Sequence, residues 1–229
     1  IHRVLEAMGV CLLSIPGFEA DDVLATLALQ CHEQKMKCFL VTSDKDCRQL
    51  ITEHVRMFNL RKNETYDAAA LQTTWGIRPD QVVDFQSLVG DSVDNVPGVP
   101  LIGPKAAQDL LAQFDTLEGV YANLEQLKGK KKENLVTFRE QAFLSRQLVQ
   151  LDTHVPLDFT WETAKPKNFP AEPVAELCRE FGFRQLAQRL ARLSGTATAE
   201  SDSNAEPTAT IVPKDDWQAT YRCVSSLDE

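Results

Sequence analysis

The apolar run Cys38-Phe39-Leu40-Val41-Thr42 stops abruptly at Ser43-Asp44-Lys45-Asp46, and few folds accommodate that junction. A run without polar alternation reads as a buried strand of the parallel type. Before it, Val23, Leu24, Leu27, Ala28 and Cys31 recur at helical spacing from Asp21 onward. After it, a helix through Leu50 and a second strand over Val55-Arg56-Met57-Phe58-Asn59-Leu60 are predicted. Strand and helix in alternation give an α/β layer around a mainly parallel sheet. Ligands of such sheets bind beyond the carboxyl ends of the strands. Asp44 and Asp46 stand at such an end.

The flanking segments fill in the plan. Residues 1–13 read as a helix leading into a short strand at Val10-Cys11-Leu12-Leu13, with a turn at Pro16-Gly17. From residue 68 to 193 the pattern is helical throughout. Helices are predicted over 68–75, from Pro79 through Leu88, over Lys105 to Phe114, as one long helix over 133–149, and as a last one over 171–193. Residues 194–210 are poor in apolar side chains and read as a linker. Trp217, Tyr221, Cys223 and Val224 then restart an apolar pattern. The expected organisation is an α/β core over 1–84, a helical region over 85–193, a linker over 194–210 and the start of a further domain over 211–229.

Three groups of acids carry the chemistry: Glu19-Ala20-Asp21-Asp22, Asp44-Lys45-Asp46 and Gly90-Asp91-Ser92-Val93-Asp94-Asn95. Asp91 and Asp94, three apart, share a face if helical. Asp44 and Asp46, two apart, point the same way if extended. Asp21 and Asp22 diverge on a helix, so Glu19 with one of them is the expected inward pair. Any one group alone is explained by helix capping or a polar turn. Together, seven carboxylates would repel one another unless cations sat among them. Hard divalent ions such as Mg²⁺ or Mn²⁺ take oxygen ligands. Two of them roughly 3.5–4 Å apart can hold the attacking and leaving oxygens of a phosphodiester. No cysteine pair has zinc-ligand spacing, and four scattered histidines argue against a zinc site. Six dispersed cysteines suit reduced thiols in the cytosol.

The segment Val96-Pro97-Gly98-Val99-Pro100-Leu101-Ile102-Gly103-Pro104-Lys105 has the character of a helix-hairpin-helix. Gly98 and Gly103 allow unusual backbone and close approach of a phosphate. The following helix aims free N–H groups and its dipole at an anion, and Lys105 adds a direct contact. A tight interhelical turn with a surface lysine fits the same residues. Lys128-Gly129-Lys130-Lys131-Lys132 reads as a solvated loop. The net charge of −9 does not exclude a DNA partner. Seven acids against two bases over 195–229 account for −5 of it, leaving −4 for residues 1–194. With the seven clustered acids neutralised, that region stands at +3.

Gly17-Phe18-Glu19-Ala20-Asp21-Asp22-Val23-Leu24, Thr42-Ser43-Asp44-Lys45-Asp46 and Gly90-Asp91-Ser92-Val93-Asp94-Asn95-Val96-Pro97-Gly98-Val99 together resemble the 5′ nuclease (flap endonuclease) superfamily. The likeness runs from about Val10 to about Leu193 and is greatest to the 5′-3′ exonuclease domain of bacterial DNA polymerase I. It implies a resolvase-like (PIN-like) core followed by a helical region with the hairpin. It implies removal of RNA primers and displaced flaps in DNA replication and repair, in the bacterial cytoplasm, by a monomer at the nucleoid. The implied metal ligands are Glu19, Asp21, Asp22, Asp44, Asp46, Asp91 and Asp94, holding two Mg²⁺ or Mn²⁺ ions, with Asp44, Asp46 and Asp91 at the catalytic centre. Gly98, Val99, Ile102, Gly103 and Lys105 would contact duplex DNA, with K⁺ on backbone carbonyls of the hairpin. The family's first strand carries a further metal-binding aspartate that has no counterpart here, which predicts that these residues alone cleave weakly. A non-catalytic DNA-binding module and an RNA-cutting nuclease remain alternatives.

Overall fold

The structure, a computed structural model, describes residues 1–165 and 169–193. The expected linker over 194–210 and the restart over 211–229 lie outside the described residues. The elements run α1 (His2–Ala7), α2 (Ala20–Glu33), β1 (Cys38–Val41), β2 (Val55–Asn59), β3 (Glu64–Tyr66), α3 (Ala68–Trp75), α4 (Val82–Val89), α5 (Pro104–Phe114), α6 (Leu117–Ala122), α7 (Gly129–Thr137), α8 (Arg139–Val149), α9 (Trp161–Ala164), α10 (Ala171–Glu180) and α11 (Arg184–Leu193). Among the described residues no helix is long and apolar enough to cross a membrane. The described residues form two compact units, one of residues 11–165 and one of residues 1–10 with 169–193.

In the larger unit β1 pairs parallel with β2, from Cys38 opposite Val55 to Val41 opposite Phe58. β2 then pairs antiparallel with β3. The sequence gives no warning of β3, a three-residue strand returning through a turn in which Asn59 Oδ1 accepts from Arg61 N and Lys62 N, both at 3.1 Å. Leu40 is buried with Ala25, Ala28, Cys31, Cys47, Val55 and Met57. Phe39 and Val41, however, are 55% and 62% exposed. The apolar run is therefore an edge strand covered on one face, not the doubly buried strand its composition predicts. Val10-Cys11-Leu12-Leu13 forms no strand either.

The helical part packs around Leu71, Val82, Leu88, Leu111, Leu117 and Leu135, all at or near zero exposure. Each such side chain contributes about 1.5–3 kcal/mol on removal from water. Asp67 Oδ1 caps α3 at Ala70 N, 2.9 Å. The helix expected over 133–149 is broken at Phe138 into α7 and α8. Lys128 to Lys132 lead into α7 instead of forming a loop, with Lys132 Nζ 2.9 Å from Glu125 Oε2.

The smaller unit packs α1 with α10 and α11 through Val174, Cys178 and Leu190, joined by Ala7, Met8 and Phe169. Arg3 holds Glu180 by two hydrogen bonds of 2.7 and 2.8 Å. The expected single helix over 171–193 is divided by a turn at Gly182, whose φ is +70°.

Candidate metal and nucleic-acid site

β1 delivers its carboxyl end into a turn that keeps Asp44 and Asp46 together. Thr42 Oγ1 accepts from Asp44 N, and Asp44 Oδ1 accepts from Asp46 N, both at 3.0 Å. Asp46 then opens a 3₁₀ turn over Asp46–Leu50. The pair converges through this capped turn and not through an extended strand end. Gln86 of α4 donates its amide to Asp46 Oδ1.

The acids at the start of α2 divide their labour. Asp22 spends both oxygens on backbone: Oδ2 accepts from Glu19 N at 3.3 Å and Oδ1 from Asp152 N at 2.9 Å. Its role as seen is a cap that ties the loop at 152 to α2. Asp21 instead faces the acids of the β1 turn. Burial, then the charges of Asp44, Asp46 and Glu19, push its carboxyl above the ordinary range. Asp46 is likewise pushed up, by burial first and by Asp44 and Asp94, against the pull of the Gln86 amide and Lys45.

Asp91 and Asp94 do not lie on a helix. Residues 91–96 form a tight loop closed by Asp91 N to Val96 O at 2.8 Å and Val96 N to Asp91 O at 2.7 Å. Asn95 takes a left-handed φ of +56° within it. The two carboxylates still meet, because Lys45 Nζ contacts Asp91 Oδ2 and lies 3.8 Å from Asp94 Oδ2. Burial would raise the Asp91 carboxyl. Hydrogen bonds from Lys45 and from backbone N–H groups outweigh it and hold the carboxyl below its ordinary range.

Three chain segments thus meet: Asp21 feels the charges of Glu19, Asp44 and Asp46, Asp46 feels that of Asp94, and Lys45 links Asp91 to the group. They do not form a closed cage. Among the described residues, His32, Glu53 and His54 are the only group of three with ligand atoms all within 4.8 Å of one another. The histidines are therefore not isolated, as their scatter in sequence suggests; a separation of 22 positions hides the pairing of His32 and His54. Lys45, Gln86, Trp75 and Phe85 also escape sequence reasoning. They line a cavity of about 440 Å³ between the Asp91 loop and the start of α5. Only Lys45 carries a signal, a cation set between two acids. A second cleft beside Thr42 and Ser43 is lined by Arg48, Arg61 and Lys62.

The hairpin departs from expectation. Gly98 is buried, and a methyl group there would meet Gly90 N at 2.4 Å. Gly98 N donates to Ser145 Oγ at 3.1 Å, and Gly98 O accepts from Gln141 Nε2 at 2.7 Å. Val99 and Ile102 are 3% and 2% exposed. The side chains of Val99 and Ile102, and the backbone of Gly98, hold the hairpin against α4 and α8, so these three residues face inward while Leu101, Gly103 and Lys105 stay exposed. Gly103, at φ −85°, needs no special conformation, although nothing stands within 4 Å of the space above it. Lys105 is exposed, 3.1 Å from Asp109. Leu101 is exposed at the tip with a left-handed φ of +67°.

Residues 1–76 match the family described as 5′-3′ exonuclease, N-terminal resolvase-like domain, and residues 77–172 match 5′-3′ exonuclease, C-terminal SAM fold. A 5′-3′ exonuclease of Buchnera aphidicola subsp. Schizaphis graminum is 34% identical over 192 residues, which cover 81% of this chain and 67% of that one. The chain belongs to the 5′-3′ exonuclease family. DNA polymerase I of Bacillus subtilis is 33% identical over 211 residues, 90% of this chain but 24% of the polymerase. The chain thus spans about a quarter of that curated relative. The fold also matches the bacteriophage T5 D15 flap endonuclease, solved as a pseudo-enzyme-product complex with DNA and metal ions. The TM-score is 0.57 at 20% identity, covering 80% of this chain and 62% of the other.

Proposed function

We propose that this chain is the nuclease part of a DNA polymerase I, hydrolysing phosphodiesters at or near 5′ ends of flaps, nicks and RNA primer–DNA junctions during replication and repair. The observation that carries the reading is the convergence of acids from three segments around Lys45 and Asp46, beside a basic cleft. Lys45, lodged between Asp91 and Asp94, marks where positive charge is wanted, and the raised carboxyls of Asp21 and Asp46 mark where it is lacking. This donor set of oxygens suits Mg²⁺ or Mn²⁺, two ions being the expected number. The T5 endonuclease, which shares the fold, was solved with metal ions and DNA, and this agrees with the assignment. Bound there, such ions would neutralise developing charge and acidify a water for attack.

Asp44, Asp46 and Asp91 would hold the ions at the centre, Asp21 and Glu19 would complete one side and Asp94 the other. Asp22 would act by fixing the start of α2. Arg48, Arg61 and Lys62 would draw the phosphate backbone toward the acids, while Lys105 and the free N–H groups at the start of α5 would grip the duplex without reading bases. An α/β part carrying most of the acids, with a helical part carrying the hairpin, matches this division of work. Potassium on the hairpin has weaker support, because the Gly98, Val99 and Pro100 carbonyls each already accept a hydrogen bond. Work on chromosomal DNA would place the protein in the cytoplasm, at the nucleoid.

One observation favours a second reading, a DNA-binding module without catalysis: Asp91 is already satisfied by Lys45, and no three of the acids reach ligand distance. Asp44→Ala in the protein at its full natural length separates the two. Catalysis requires Mg²⁺-dependent flap cleavage to fall at least about 10²-fold with flap binding retained. Unchanged cleavage would leave only the binding role.

A further inference from the structure

We propose that His32, Glu53 and His54 form a separate site for a zinc-class divalent ion, at the opposite end of the sheet from the carboxylate pocket. His32 lies in the last turn of α2, whereas Asp21 lies in its first. Eleven residues separate them, roughly 16 Å along the helix axis. His54 precedes β2 at the amino end of the parallel pair, and Asp44 follows β1 at the carboxyl end. One ion cannot serve both places.

One ligand atom from each of the three side chains lies within 4.8 Å of the other two. His54 Nε2 stands 3.5 Å from Glu53 Oε1, and the two imidazole rings are 5.7 Å apart at their centroids. His32 Nδ1 is buried without a hydrogen-bond partner, a ring nitrogen left open to an ion. The backbone beneath the ligands is fixed. Thr52 Oγ1 accepts from His54 N at 3.2 Å and from Val55 N at 3.1 Å, and Cys38 N donates to His54 O at 2.9 Å. Glu53 is exposed and free to swing.

Tetrahedral zinc with ligands at about 2.0–2.2 Å needs donor atoms roughly 3.4 Å apart, so binding asks only for a modest closure. Two imidazoles with one carboxylate suit zinc and its neighbours in the transition series, whereas Mg²⁺ prefers oxygens throughout. Three protein ligands leave a fourth position for water. The ion would staple the end of α2 to the start of β2, stiffening the layer that holds Asp21 and Asp44 at its other end. This inference stands apart from the nuclease reading, since none of its ligands belongs to the carboxylate pocket.

The test is zinc competition against a chromophoric chelator, with saturating Mg²⁺ occupying oxygen sites, alongside thermal melts. The expected result is one competitive Zn²⁺ per chain, with binding weakened more than about tenfold by His32→Gln, His54→Ala and Glu53→Gln. Glu53→Gln, on an exposed side chain, should melt like the parent in chelator and lose only the zinc-induced rise. Asp44→Ala and Asp91→Ala should keep the site. Absence of competitive zinc, zinc binding indifferent to both histidine variants, or loss of zinc in Asp44→Ala would each overturn the proposal.

Discussion

Replacing Gly98 by alanine would set a methyl group 2.4 Å from Gly90 N, 2.5 Å from the Val89 carbonyl carbon and 2.6 Å from its oxygen, at φ +61°. All three neighbours are backbone, so no side chain can rotate aside. A non-glycine residue in the left-handed region costs roughly 1–2 kcal/mol. Overpacking adds about 1–3 kcal/mol. The combined loss of roughly 2–5 kcal/mol is a large part of the ~5–15 kcal/mol that holds a domain folded. For a chain of this size the melting point should fall by roughly 4–20 °C. Gly103→Ala is the matched control: nothing lies within 4 Å of the added carbon and φ is −85°. It exchanges a fair N-cap for a poorer one against a stiffer unfolded chain, within about 1 kcal/mol in sum. Urea denaturation of both variants reads the difference. If Gly98→Ala unfolds at the parent's midpoint, or Gly103→Ala falls as far, the packing argument for the hairpin is wrong. Salt-dependent binding of a flap duplex should rank them in reverse once stability is matched, with Gly103→Ala the weaker binder.

Lys105→Ala should lower the slope of log affinity against log salt by about 0.9 if Lys105 neutralises one phosphate, and leave it unaltered otherwise. Lys45→Met removes the cation that holds the Asp91 carboxyl down. A depressed carboxyl contributes stability that is present above its unfolded value and lost as pH falls through its folded value. The variant should therefore begin acid unfolding at higher pH than the parent, and an unmoved transition would contradict the pairing. Asp21 and Asp46 have the opposite sign. Their raised carboxyls favour the fold at low pH and lose that contribution as pH rises through the folded values. Without divalent ions, Asp46→Asn should flatten the decline in melting point from mildly acid to neutral pH. Burial pushes the Cys31 and Cys47 thiols up to about 12. Iodoacetamide at mildly alkaline pH should leave both unmodified in the native protein and label them in urea.

The acid groups were legible in sequence because their chemistry is carried by residue type, but their local geometry was not. Asp91 and Asp94 meet through a loop whose closure depends on the contact of Gly90 with Gly98, a pairing eight positions apart that no periodicity records. Asp22 shows how one acid in a group can be diverted to capping by a partner at 152. The apolar run at β1 gave the strand, and its location, correctly. Exposure of Phe39 and Val41 depends on which strands flank it, which composition cannot tell. Val99 and Ile102 were read as ligand contacts from their place in a motif, although apolar side chains beside buried glycine more simply belong to the packing. The join of His32 to His54 needed the register of β1 against β2 before it could appear.

Water-proton relaxation of Mn²⁺ titrated into this chain tests most directly whether acids from distant segments share an ion. Tight sites should weaken sharply in Asp46→Asn and in Asp91→Asn, each from a different segment, and survive in His54→Ala. Mn²⁺ binding indifferent to both aspartate variants would contradict the account.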